Sequence, residues 1–154
     1  MGDCNGRGAF THTSYNDFEI VAANLFDDDP RRISDRIPAY GLFIDPPLGR
    51  IGMTEKEACD SGRPILVGKR LMKNVAQARE RSETDGFIKV LVDAETREIL
   101  GAAILGIGGD EAVHALLAVM YARSPHTVIS RQVPIHPTVA ELLPTVLQGL
   151  QPLE

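Results

Sequence analysis

Apolar residues recur at helical spacing just after a glycine-rich start, residues 1–13, which shows no periodicity and predicts a loop. The recurrence follows i, i+3, i+4 and i+7, which predicts an amphipathic helix beginning near Ser14. Asp17, three positions after Ser14, completes a loose capping box. The predicted apolar face of this helix contains Phe18, Val21, Ala22 and Leu25. Residues 27–30, three aspartates and a proline, end the helix, and the charged stretch that follows is typical of a linker.

From residue 38 onward, β-type apolar runs alternate with turn residues and short helical patterns. Strands are predicted at residues 40–44, 64–73, 87–92 and 99–106. The polar residues 93–98 join the last two strands as a hairpin, and Thr54 begins a short helix. Because the strands are joined by hairpins and grouped apart from the helices, the pattern predicts an α+β fold with a mainly antiparallel sheet.

Two further helices are predicted toward the end of the chain. Asp110 can cap the first, which carries more apolar residues than one helix face can bury and so predicts dimerisation through residues 110–123. One face of this helix contains Val113, Leu116, Leu117, Met120 and Tyr121. The second helix is predicted over residues 139–150, where Pro144 should kink it or confine its regular part to one side.

Composition limits the classes of partner and compartment. The 154 residues allow one ordinary domain, and 44% hydrophobic with 24% charged residues is typical of a soluble globular chain. Lys and Arg number 16 against 21 Asp and Glu, and a net charge of −5 argues against nucleic acid or an anionic membrane as partner. No signal peptide or membrane span is evident, so a reducing, cytoplasmic compartment is expected.

Common cofactor motifs do not occur. Cys4 and Cys59 form no CxxC or CxxxxC pair, and the four histidines form no HExxH or Cys/His cluster, so reduced thiols and no metal site are expected. Neither GxxxxGK[ST] nor GxGxxG is present, since Gly106, Gly108 and Gly109 precede two acidic residues. The chain therefore lacks the usual loops that hold a nucleotide.

One segment, Ile135-His136-Pro137-Thr138-Val139-Ala140-Glu141, combines residues that could carry chemistry. In a structural interpretation, Thr138 and Glu141 form a capping box at a helix start, and His136 merely precedes the helix. In a functional interpretation, His136 is a proton carrier whose ring is oriented by the Glu141 carboxylate. The carboxylate stabilises the imidazolium and fixes the tautomer of the neutral ring. The two interpretations are compatible, because a capping carboxylate has a second oxygen to offer.

This segment, followed by Leu-Leu-Pro-Thr, resembles the closing motif of the flavin-dependent pyridine nucleotide-disulfide oxidoreductases, which include glutathione reductase, dihydrolipoamide dehydrogenase and the mercuric reductases. Other segments resemble the end of the family's flavin domain and the strands and helices of its interface domain. These segments are residues 2–3, 9–11, 40–47, 52–55, 101–106 and 109–111. One departure is His12, where relatives often have proline.

The resemblance implies an incomplete enzyme, because the family's GxGxxG, CxxxxC and nicotinamide domain are all missing. Residues 1–29 would be the C-terminal remnant of a flavin-binding domain, and residues 30–154 the dimerisation domain, with helices packed on one side of its sheet. FAD and NAD(P)H would serve the full-length enzyme, whereas this fragment alone is expected to hold neither. The implied partners are a second copy of the chain and the missing flavin and nicotinamide domains.

Four residues carry over from the family. Asp3 matches the aspartate that hydrogen-bonds the flavin ribityl chain, and Thr11 lies in the segment whose backbone approaches the flavin ring, where the helix dipole favours negative charge. His136 matches the acid/base histidine that serves the thiols of the other subunit, and Glu141 matches its carboxylate partner. The resemblance also favours a cis peptide bond before Pro137. A different class of function stays open, a free-standing dimeric interaction protein without redox activity.

Overall fold

The structure, a computed structural model, describes residues 1–153, which divide into two compact units between Arg36 and Ile37. The first unit contains α1 (Thr11–Phe26) and two short 3-10 helices, Asp3–Asn5 and Ile33–Asp35. The second contains the sheet and the remaining helices. No helix among the described residues is long and apolar enough to cross a membrane.

Helix α1 begins at Thr11, three residues before the predicted start at Ser14. Thr13 explains the difference, because its hydroxyl accepts from the Phe10 amide at 3.3 Å and donates to the Phe10 carbonyl at 2.8 Å. Ser14 does not cap the helix; its hydroxyl donates instead to Asp3 at 2.6 Å. The loose capping box of Ser14 and Asp17 was therefore a wrong prediction.

Much of the predicted apolar face of α1 is exposed. Phe18, Val21 and Leu25 are 52%, 40% and 68% exposed, and Ala23 is the buried apolar residue of this helix. The spacing correctly predicted a helix, since periodicity reports which side is apolar. It does not report what covers that side.

The second unit is built on a six-stranded sheet of order β1-β2-β5-β4-β3-β6 with antiparallel neighbours throughout, which confirms the predicted α+β class. The strands are β1 (Ala39–Leu42), β2 (Leu48–Gly52), β3 (Ile65–Leu71), β4 (Phe87–Asp93), β5 (Ile99–Leu105) and β6 (Gln151–Pro152). Strands β2 and β6 were not predicted. Two glycines interrupt the β2 pattern, and β6 is only two residues long.

The main core lies between one face of the sheet, the inner face, and the helices that pack on it. The helices of this unit are α2 (Glu55–Asp60), α3 (Ala76–Glu80), α4 (Gly109–Tyr121), α5 (Thr127–Ser130) and α6 (Leu143–Gln148). Helix α2 is the exception to packing on the inner face, because its buried residue Ala58 belongs to the outer-face cluster. Alternate residues of β4, Ile88, Val90 and Val92, are fully buried in this core, as are Leu116 of α4 and Leu143 of α6. On the opposite, outer face, a smaller cluster joins Ala58, Ile65, Leu91 and Leu100.

Helix α4 begins at Gly109, one residue before the predicted cap Asp110, with Gly108 in the N-cap position at φ 60°. A left-handed φ suits glycine. Asp110 lies in the first turn, where its negative charge interacts favourably with the positive end of the helix dipole. Val113 and Leu116 are buried as predicted, whereas Tyr121 is 54% exposed.

The last predicted helix is divided into two parts. A 3-10 turn covers Ala140–Leu142, and α6 begins at Leu143 with Pro144 in its first turn. Proline lacks an amide hydrogen, which the first turn of a helix does not need, so Pro144 starts the regular part rather than kinking its middle.

Candidate functional site

His136 and Glu141 meet at the entry to this final helical region. The peptide bond between His136 and Pro137 is cis. His136 Nδ1 lies 2.7 Å from Glu141 Oε2, and the side chains are 72% and 9% exposed, respectively. The carboxylate is thus largely withdrawn from water while the imidazole that it holds projects into solvent.

Thr138 shares the same carboxylate oxygen. Its amide donates to Glu141 Oε2 at 3.4 Å, but its hydroxyl donates to the Ile135 carbonyl at 2.8 Å. The predicted capping box is therefore only half formed. Because the 3-10 turn begins at Ala140 with Val139 in the cap position, Thr138 lies one residue too early to cap it.

The geometry assigns separate roles to the two ring nitrogens of His136. An ionised carboxylate only accepts hydrogen bonds, so Nδ1 carries the hydrogen in the contact with Glu141. Nε2 is then the acceptor nitrogen of the neutral ring. Two apolar neighbours, Val133 and Ile135, are 97% and 80% exposed, so the imidazole stands on an accessible and partly apolar surface.

Asp3 and Thr11 lie in the first unit, at the start of α1. Asp3 is exposed, and its Oδ1 accepts the 2.6 Å hydrogen bond from Ser14 in the first turn of the helix. Thr11 is the first residue of α1 and is exposed. This unit therefore presents a carboxylate next to a helix N-terminus.

Sequence reasoning named Asp17 only as part of a capping box and missed the contacts by which it holds this start in place. Asp17 is 3% exposed and accepts hydrogen bonds from the Gly2 amide at 2.8 Å, from Asn5 Nδ2 at 2.6 Å, and from Arg36. The hydrogen bond from Arg36, followed by that from Gly2, holds the pKa of the Asp17 carboxyl below its ordinary value. No short sequence motif predicts the contact between Asp17 and Arg36, which lie 19 positions apart.

Neither cysteine is paired, and the thiols of Cys4 and Cys59 are both exposed. Within residues 1–153, no group of three or more His, Cys, Asp or Glu side chains is arranged to hold a metal ion.

Known proteins with similar sequences match nearly the whole chain. The probable pyridine nucleotide-disulfide oxidoreductase RclA of Escherichia coli is 36% identical over 93% of the chain, which spans 33% of that protein. A soluble pyridine nucleotide transhydrogenase of Stutzerimonas stutzeri is 31% identical over 91% of the chain, which spans 31% of that protein. The chain therefore corresponds to about a third of the length of these relatives.

Solved structures agree with the sequence comparison. The HOCl-induced flavoprotein disulfide reductase RclA of Escherichia coli superimposes with a TM-score of 0.90 at 34% identity, covering 97% of this chain and 34% of that one. The family model for the pyridine nucleotide-disulphide oxidoreductase dimerisation domain matches residues 38–147. This chain therefore belongs to the pyridine nucleotide-disulfide oxidoreductase family and contains its dimerisation domain.

Proposed function

We propose that this chain acts as the C-terminal part of an FAD-dependent, NAD(P)H-linked disulfide oxidoreductase, in which His136 and Glu141 serve the thiols of the partner subunit. The observation that carries this proposal is the 2.7 Å contact between an exposed imidazole and a largely buried carboxylate. A purely structural histidine has no need to project into solvent on a fixed carboxylate support.

The pair would act by moving one proton in each direction. His136 Nε2 takes the proton from a thiol, which leaves a thiolate and an imidazolium whose charge Glu141 stabilises. The thiolate attacks one sulfur of a disulfide, the S–S bond breaks, and the departing thiolate receives the proton back from Nε2. Glu141 also fixes the ring, so that Nε2 and not Nδ1 faces the reacting sulfur.

The first unit would contribute to a flavin site without forming one. Residues 1–29 are proposed as the end of a flavin-binding domain, in which Asp3 would accept a hydrogen bond from the ribityl chain and the segment at Thr11 would approach the ring. When bound, FAD relays electrons between NAD(P)H and a disulfide. An exposed carboxylate beside a helix N-terminus suits such contacts, but residues 1–153 contain no glycine-rich phosphate loop.

The isolated chain is accordingly proposed to bind neither flavin nor NAD(P)H, to form a homodimer, and to function in the cytoplasm. A flavin titration of the 154-residue polypeptide tests the first statement. Stoichiometric flavin absorbance in the purified chain would contradict it.

The acid/base role is tested in a chimaera that joins the first two-thirds of RclA to this chain, which matches the remaining third. His136→Ala should slow thiol–disulfide interchange by about 10²–10⁴-fold, the usual contribution of a positioned acid/base, without changing flavin content. Thr138→Val is the matched control, because it removes the hydroxyl bond to Ile135 and leaves the His136–Glu141 contact intact. Unchanged turnover in His136→Ala would favour a purely structural segment and an interaction role for the domain.

A further inference from the structure

A small pocket lies on the outer face of the sheet, where an alanine separates two cationic residues. The strand register places Arg50 of β2 directly beside Ala103 of β5, and Ala103 directly beside Lys89 of β4. Neighbouring strands are about 4.8 Å apart, so the two cations arise from strands about 10 Å apart. Because Ala103 carries only a methyl group, the space between them is left open.

The walls and the size of this pocket favour a compact apolar occupant. Met53, Phe87 and Leu91 line it together with Arg50, Lys89 and Ala103, and its volume is about 190 Å³. A cavity of about 150 Å³ accommodates benzene, whereas sites for drug-sized molecules begin at about 300 Å³. The pocket therefore matches a ligand with a single ring or a short branched chain.

The two cations differ in what already neutralises them. Lys89 Nζ is paired with Glu55 Oε2 at 2.6 Å. Arg50 has its guanidinium over the Tyr40 ring at 5.6 Å, but its Nη2 is buried and finds no hydrogen-bond partner among the described residues. Arg50 lines the pocket and carries further N–H donors in a fixed fork, so it is the cation that a ligand carboxylate would pair with.

We propose that this pocket binds a small organic monocarboxylate, with its apolar body over Ala103 and its carboxylate on Arg50. A single negative charge is favoured because Glu55 also lines the pocket and would repel a second one. This site is separate from the His136–Glu141 pair, so its existence does not depend on the proposed redox function.

The experiment is a titration of the ¹⁵N-labelled 154-residue chain with benzoate and with neutral benzamide, which has the same shape. Benzoate should give saturable shifts of the Arg50, Lys89 and Ala103 amides, with a Kd of about 1 mM for so small a ligand. Benzamide should bind at least about tenfold more weakly, because it cannot form the ion pair with Arg50. This comparison uses the unaltered chain, so it stands whether or not a variant folds.

Variants separate the pocket from the general charge of the surface. Arg50→Gln should weaken benzoate binding at least about tenfold, and Ala103→Leu should abolish it by filling the floor while Arg50 remains. Lys69→Gln is the control, since Lys69 lies on the same face, with its ammonium over the Phe87 ring at 5.5 Å, and does not line the pocket. Equal binding of benzamide, no saturable shift up to about 10 mM benzoate, or equal weakening by Lys69→Gln would overturn the proposal.

Discussion

Glu141 uses one carboxylate oxygen to contact both the backbone and the ring of His136. Its Oε2 accepts from the Thr138 amide and from the His136 ring, and the side chain is 9% exposed. A single residue therefore fixes the local chain and the imidazole together. The structural and functional interpretations of this segment consequently describe the same contact.

Replacing Glu141 with Gln should separate these two contributions. Gln keeps an acceptor of the same shape but loses the charge that stabilises the imidazolium, so interchange in the chimaera should slow by about tenfold, less than in His136→Ala. In the isolated chain, urea unfolding should show a loss of no more than about 1–2 kcal/mol. A Gln variant as slow as His136→Ala would indicate that Glu141 does more than support the ring.

His126 is a buried histidine of the second unit. Its Nδ1 is buried without a hydrogen-bond partner among the described residues, while its amide donates to the Arg97 carbonyl at 2.8 Å. Burial, and then the nearby Arg97 charge, lower the pKa of His126 below its ordinary value of 6.5. Below about pH 6.5 the unfolded chain therefore binds a proton at this histidine more readily than the folded chain does.

The free energy of unfolding should accordingly fall as the pH drops from about 7.5 to 5.5, and His126→Gln should remove part of that fall. Urea unfolding at the two pH values measures it, with His114→Gln as the control because His114 is exposed on α4. The carboxyl groups with lowered pKa, Asp17, Glu57 and Asp93, lose their stabilisation only at more acidic pH. An equal slope in wild type and His126→Gln would refute the prediction.

At the scale of elements, α4 packs closely against β2 because Gly49 has no side chain. A Cβ on Gly49 would lie 2.8 Å from Val113 Cγ1, 2.9 Å from Asp110 Cα and closer still to the Gly109 carbonyl. Its cross-strand partner Gly41 has far more room, with the nearest atom at 3.7 Å. Helix and sheet therefore approach closely at Gly49 and not at Gly41.

Gly49→Ala should destabilise the chain by about 1–3 kcal/mol, the range for overpacking, because α4 must move away from β2. Gly41→Ala provides the matched control on the neighbouring strand and should have little effect. Chemical denaturation of both variants gives the comparison, and identical midpoints would show that α4 does not depend on this contact.

Elements with local signals could be predicted from the sequence, and elements that depend on distant contacts could not. Thr54 and Glu57 form a complete capping box, with bonds of 2.7 and 3.0 Å, and the short helix there was predicted correctly. Strand β2 was missed because its glycines make sense only once α4 packs on them. The candidate site residues His136 and Glu141 could be proposed from a motif, whereas the open pocket beside Arg50 depends on register between three strands.

At the scale of the whole molecule, α4 presents a second side that the described core does not cover. Val113 and Leu116 are buried, but Ala115, Ala118 and Tyr121 are exposed. An apolar helix face left at the surface is typical of an interface between copies of a chain. The family's dimerisation domain matches these residues.

The purified chain should therefore sediment at micromolar concentration with about twice its 16.7 kDa mass. Ala118→Arg should shift it to the monomer by placing a charge on the exposed side of α4. Glu80→Arg, on the exposed surface of α3, should leave the mass unchanged. A monomeric wild type would contradict dimerisation through α4.

The exposed apolar face of α1 affects how readily the polypeptide aggregates. Exposed aromatic and aliphatic side chains associate with unrelated surfaces and with one another, so the first unit should promote aggregation of the polypeptide on heating or storage. The buried apolar residues, apart from Ala23, all lie beyond Arg36. A polypeptide that begins at Ile37 would thus retain the main core without the exposed apolar side chains of α1.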